Sequence, residues 1–442
     1  MTAAPEIILY VFVSLFTLLT IFTVYRFWVQ RSVESIKYRS PGFTIIGAIT
    51  IWLLIIIFML RMNVDWFPCY ISLWATSLGY PVIYVVTIIR SIRLWFHYRI
   101  SEAKFRQALV HVSKQNTVNQ SIETAGGSFE MFNMTGKTRN RPDIFSLNED
   151  SFYQKRHILS KRFLAGIFIA VMLAHLLIIV VIQVFSVAYS FKPSVGSESG
   201  AICMIGWEYI PHYVISSIYT LIVLPLLIYR MRDVNDAYGI RRELLYTSIL
   251  MVLSTIILIL FLYLPQLHFI STVVSGIVWS AVPLIAIYAL MVIRPLVDSY
   301  NIVLLKRWSC LFKSKPNLPY TREAMELLLQ DPILFNQFKL FSVTDFTLEC
   351  VLFYECCRNS RFSMDVKELK EIYLNFIHPE AKFQINLSER TKSELEALAH
   401  QEKFEPDMYL DASKDIQDLM YVNTFSRYVQ HNQNSKAVWE QV

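Results

Sequence analysis

The sequence predicts an all-α protein: a seven-transmembrane helix bundle followed by a cytoplasmic all-helical domain. Three observations carry that prediction. Of the 442 residues, 54% are hydrophobic and only 17% charged, where soluble domains carry about 25% charged residues. Seven apolar segments lie between residues 5 and 294, each about long enough to cross a ~30 Å hydrocarbon core at ~1.5 Å per residue. After Pro316 and Pro319 the apolar segments stop and amphipathic, charge-bearing patterns begin.

In chain order the segments fall near 6–28, 43–61, 67–89, 163–188, 208–229, 244–264 and 269–293. Lipid offers backbone groups no hydrogen-bond partner, so each is read as a helix. Pro81 and Pro225 fall inside the third and fifth. Proline in a membrane helix is more often a tolerated kink than a break, so both stay single spans. The first apolar run is too long for the core of a cleavable signal peptide and lacks a basic leader.

Orientation follows the positive charges. The connections after spans one, three and five hold Arg26, Arg31, Lys37 and Arg39, then thirteen Lys/Arg from Arg90 to Arg162, then Arg230, Arg232, Arg241 and Arg242. The opposite connections offer Arg61 and Lys192. The expectation is an extracellular N-terminus and a cytoplasmic C-terminus in a multi-pass plasma-membrane protein. The sequons at Asn119, Asn133 and Asn386 then lie inside, away from glycosylation.

Between spans three and four, "SIRLWFHYRISEAKFRQALVHVSK" has amphipathic spacing and reads as a continuation of the third helix. The polar, Gly/Ser/Asn-rich stretch after it reads as a loop. His175, Glu208 and His212 are the ionisable residues within or near spans four and five. A lone intramembrane histidine is more often hydrogen-bonded to a neighbouring helix than a ligand or proton carrier. No carboxylate falls in mid-span, which argues against a pump or transporter.

Cys69 and Cys203 are the cysteines on the oxidising side. They are read as a disulfide, with two free small residues as the alternative. The pairing resembles the bridge from the third helix to the second outer loop in many seven-helix receptors. Other receptor signatures are missing: span three ends "TIIRSIRLW" without an acidic-Arg-Tyr triplet, and span seven ends "MVIRPLVDSY" rather than Asn-Pro-x-x-Tyr. Residues 299–317 mix Trp308, Leu311 and Phe312 with Lys306, Arg307, Lys313 and Lys315, an interfacial pattern on an anionic leaflet. Cys310 within it is a palmitoylation candidate, an unmodified cysteine being the alternative. The outer loops carry Asp65, Lys192 and Glu198 and name no ligand, so a small extracellular ligand in the bundle stands beside no ligand at all.

The division is therefore 1–298 for the membrane domain, 299–318 for a basic and aromatic linker, 319–431 for the soluble domain and 432–442 for a polar tail. Patterns such as "TREAMELLLQ", "DVKELKEIYLNFI" and "TKSELEALAHQ" make the soluble part helical. In "FTLECVLFYECCRNSRF", Cys350 and Cys357 share a helical face about 10 Å apart, while Cys356 diverges. That spacing fits neither a disulfide nor a zinc ligand set, so the thiols are read as packing. No phosphate loop, HExxH or CxxC pair appears, so no catalytic residue, metal or cofactor is expected. A net charge of +6 is too mild to call for nucleic acid.

Three ordered stretches complete the reading: "DPILFNQFKLFSVTDFTLECVLFYECC", "IYLNFIHPEAKFQINLSERTKSEL" and "IQDLMYVNTFSRYVQ". Over about 110 residues their order resembles the RGS domain, the regulator of G-protein signalling, and the whole chain resembles the seven-transmembrane RGS proteins of plants and some fungi and protists. The resemblance implies a partner, a heterotrimeric G-protein α subunit, gripped in its GTP-hydrolysis transition state so that the subunit's own Arg and Gln act faster. The chain would then be a GTPase activator and not itself an enzyme. The implied contacts are Glu349, Cys350, Asn386, Leu419, Asn423, Thr424 and Arg427. Asn386 matches the asparagine that reaches the α subunit's catalytic Gln, and Arg427 a position that braces the last contact loop. Cys350, Asn423 and Thr424 stand where animal members usually have Asn, Asp and Ser, which bears on α-subunit specificity. The competing reading is a receptor whose C-terminal domain only docks the G protein.

Overall fold

The apolar segments are helices in the computed structural model, which describes residues 4–63, 67–120, 154–187, 189, 206–234, 236–263, 276–300, 320–360, 366–379 and 381–433. Among these residues there is no strand. Two compact units form: an N-terminal one of residues 1–95, 158–234 and 238–312, and a C-terminal one of 96–157, 235–237 and 313–442.

The N-terminal unit contains the helices Ala4–Val29, Pro41–Asn63, Cys69–Gln120 as far as Trp95, Lys161–Phe185, Ile210–Ile218 continuing through Leu224–Arg230, Ile240–Tyr263 and Gly276–Tyr288. Six helices among the described residues are long and apolar enough to cross a membrane. Ile240–Tyr263, at 24 residues, has the length of a seventh but opens on Arg241, Arg242 and Glu243. Leu18, Leu177 and Val184 stand well exposed on their helices, an outward apolar surface suited to hydrocarbon. Inward, Phe27, Ile51, Leu54, Val86, Tyr288 and Met291 belong to one buried core. Gly79 lets two helices approach, since a Cβ there would come within 2.8 Å of the Leu54 side chain.

The prolines explain local irregularities. Pro81 lies inside a continuous 52-residue helix, and the expected extension of the third span is that same helix. Wider π turns at Tyr219–Val223 and Ala289–Ile293 each end two residues before a proline, Pro225 and Pro295. A proline ring clashes with the carbonyl four residues back, and in both cases that carbonyl lies within the widened turn.

Several buried polar side chains are paired across helices. His175 Nε2 lies 3.1 Å from the Tyr219 hydroxyl, the ordinary interhelical role expected of it. Ser186 donates to the Glu208 carboxylate at 2.8 Å, and Trp74 donates to Gln183 at 2.8 Å. Arg39, Arg90 and Glu243 form a buried cluster in which Arg39 Nε donates to Glu243 at 2.8 Å and Arg90 Nη2 to the other carboxylate oxygen. Cys69 is disulfide-bonded. Cys203, Cys310 and the linker residues 301–318 lie outside the described residues.

In the C-terminal unit the helices Arg322–Gln330, Pro332–Thr344, Leu348–Ser360, Val366–Ile372, Glu389–His400, Leu410–Met420 and Ser426–Gln433 surround one apolar core. Their starts are readable in the sequence. Thr321 caps the first helix by accepting from Ala324 N, Asp331 the second by accepting from Ile333 and Leu334 N ahead of Pro332, and Ser388 the fifth by accepting from Thr391 N. Such side chains satisfy backbone donors that the first turn leaves unpaired. Phe338, Leu348, Val351, Phe353 and Phe425 are fully buried at the centre.

Candidate functional site

The turn after Pro332–Thr344 organises the site. Asp345 closes that helix, its N–H donating to Phe341 O. Phe346 then adopts a left-handed φ of 57°, which a bulky side chain holds only when its surroundings fix it. Thr347 and Leu348 follow, and Cys350 N donates to Thr347 O at 3.1 Å as the next helix begins. Glu349 therefore sits in the first turn of Leu348–Ser360, where a carboxylate suits the helix dipole.

Asp345 was not among the sequence-predicted contacts, yet it holds several of them in place. It is fully buried, and Arg427 Nε and Nη2 donate to its two oxygens at 2.5 and 2.7 Å. This bidentate pair is the strong geometry for arginine and carboxylate. Thr347 also donates to Asp345 at 3.1 Å, and the buried Thr424 donates to Thr347 at 3.0 Å. The start of the Glu349 helix and the turn carrying Asn423, Thr424 and Arg427 are thereby joined. The signal available in the sequence was "TDF" ahead of a helix and a lone arginine some eighty residues later, which no spacing rule links.

Asn386 comes from an extended stretch pinned to the preceding helix by Phe383 N to Asn375 O and Ile385 N to Phe376 O, both 3.0 Å. Ile385 is buried and Leu387 partly buried, so the alternation of an extended chain turns Asn386 outward, and it is exposed. Ser388 and Thr391 both donate to Asp415, at 3.2 and 2.7 Å, tying this stretch to the helix Leu410–Met420 that carries half-buried Leu419. That helix passes into a π turn, Tyr421–Phe425, in which Val422 is exposed and Asn423 half-buried.

The expected contacts thus divide. Glu349, Asn386, Leu419 and Asn423 keep some solvent exposure, whereas Cys350 and Thr424 are buried and act through packing and hydrogen bonding. Cys350 and Cys357 lie in the core, and burial beside the Glu355 carboxylate pushes the Cys356 thiol up to about 12, against the opposing charge of Lys339. The Cys356 thiol is thus neutral at physiological pH, and all three side chains fill space. Among the described residues, no three His, Cys, Asp or Glu side chains gather as metal ligands. What the site presents is a carboxylate and amides on a rigid frame: a hydrogen-bonding surface.

Comparison with known proteins bears on this unit. Residues 324–436 match the family described as Regulator of G protein signaling domain. Over 110 residues the chain is 29% identical to Regulator of G-protein signaling 10 of Mus musculus and 28% identical to the proteins of that name from Homo sapiens and Rattus norvegicus. Each match covers 24% of this chain and 59% of the relative's length. No solved structure matches the chain. The likeness to this family is thus confined to the C-terminal unit.

Proposed function

We propose that the protein is a membrane-anchored regulator that binds a G-protein α subunit in its transition state and accelerates GTP hydrolysis. The observation that carries this reading is the RGS match over residues 324–436, inside which the Asp345–Arg427 pair braces the Glu349 and Asn423 stretches. A surface of this kind acts by holding the α subunit's switch segments in their reactive geometry, so the covalent chemistry stays with the subunit. Asn386 supplies a neutral amide able both to donate and to accept. The N-terminal helices anchor the regulator as seven spans in the plasma membrane with the RGS domain in the cytoplasm, a disulfide joins Cys69 to Cys203, and an extracellular small molecule controls the unit. Cys310 is its site of lipid attachment.

Single-turnover GTP hydrolysis by an α subunit, with and without the full chain in lipid nanodiscs, tests the reading. The expected result is a rise of about tenfold or more, a barrier lowered by at least ~1.4 kcal/mol. Tight binding to the aluminium-fluoride form of the α subunit with no rate increase would instead make the domain a docking scaffold.

A further inference from the structure

Resting on that reading, one part of the binding face is already occupied by the chain itself. The helix Cys69–Gln120 enters the C-terminal unit at Phe96. From there its side chains meet the residues around Glu349. Lys104 Nζ lies 3.9 Å from the Glu349 carboxylate and 5.8 Å from the centre of the Phe383 ring, so one cation bridges the Glu349 turn and the stretch leading to Asn386. Phe105 packs against the apolar core of the unit. The His97 ring sits 6.1 Å from that of Phe346, the buried residue in left-handed conformation. A second short segment joins in, with Ala237 N donating to Thr344 O at 3.1 Å. The side chain of Glu349 is left only 24% exposed.

We propose that residues 96–106 form a self-mask: they cover the Glu349 side of the face and must move aside before an α subunit engages it fully. The contacts suit a displaceable cover. The Lys104–Glu349 pair is long and partly solvated, so it holds weakly. Asn386 and Val422 remain exposed, which leaves an open edge where a partner can begin to dock. A partner donor at Glu349 would replace Lys104 with no unpaired carboxylate left behind. The mask lowers the apparent affinity by the fraction of molecules that are covered.

The test uses the full chain in nanodiscs, with the α subunit bound to GDP and aluminium fluoride as binding probe and GTP-loaded for single-turnover hydrolysis. Lys104→Ala is expected to raise acceleration about two- to fivefold, and Lys104→Glu, which sets like charges face to face, about three- to tenfold. In the wild-type chain, hydrogen exchange across residues 96–106 is expected to rise when the α subunit binds. A wild-type chain that accelerates hydrolysis, with both variants no faster and residues 96–106 equally protected with and without the α subunit, would overturn the mask while leaving the activator reading intact. No binding and no acceleration by any of the three chains would overturn both.

Discussion

In the N-terminal unit Glu243 lies between Arg39 and Arg90, all three almost wholly buried, whereas in the C-terminal unit Asp345, equally buried, pairs its charge with Arg427. The first cluster carries one positive charge in excess, and Arg90 Nη1 has no hydrogen-bond partner among the described residues. The second is balanced and passes its hydrogen bonds outward through Thr347 to Thr424, beside Glu349. Burying a charge costs several kcal/mol unless a partner and further hydrogen bonds offset it. Among apolar helices that cost fixes which helix ends meet: the connection after Ala4–Val29, the helix Cys69–Gln120 and the start of Ile240–Tyr263. In the C-terminal unit the same device joins the turn that opens the Glu349 helix to the turn carrying Thr424.

Breaking each cluster separates these roles. Glu243→Ala leaves two buried guanidinium groups facing each other and is expected to destabilise the most, by about 3–5 kcal/mol or more; a thermal melt of the full chain in nanodiscs checks it. Arg427→Ala strands the Asp345 carboxylate and should cost about 3–5 kcal/mol, now with loss of α-subunit binding, while Arg427→Lys keeps the charge and recovers part of both. Ser388→Ala removes a helix cap and one bond to Asp415, so a loss of about 1 kcal/mol is expected, read as a lower denaturation midpoint of the C-terminal unit. The last effect is set by pH and is confined to alkaline solution. Cys356 moves from an ordinary 9.0 to about 12 on folding. The unfolded chain therefore gives up its thiol proton first, and this contribution to stability is full below pH 9 and drains away as pH rises towards 12. Iodoacetamide at pH 8 should leave Cys356 unlabelled in the folded chain, and its labelling there would show the thiol to be exposed.

Local features of both units were legible in the sequence, and long-range ones were not. Apolar run lengths located the helices, and the amphipathic stretch after Arg90 was rightly read as helix joined to the third span. Thr321, Asp331 and Ser388 are residue types that favour the cap positions they hold. The core role of Cys350 and Cys357 followed from helical geometry. The long-range pairings escaped. Arg39 and Glu243 are 204 positions apart, Asp345 and Arg427 82 apart, and no periodicity signals a contact across such distances. Lys104 looked like one more basic residue in a cytoplasmic connection, and its approach to Glu349 exists only in the folded unit. The π turns ahead of Pro225 and Pro295 were likewise hidden, because kinked and widened helices share one hydrophobic pattern.

On the function proposed, the Glu349 surface, held by Asp345 and Arg427, engages an α subunit during GTP hydrolysis. Single-turnover hydrolysis with the full chain and its Glu349→Lys variant tests it most directly, with thermal melts run alongside. Acceleration by the wild-type chain, and its loss in a variant that melts at the same temperature, is the predicted result. A Glu349→Lys chain that accelerates hydrolysis as well as the wild type would contradict it.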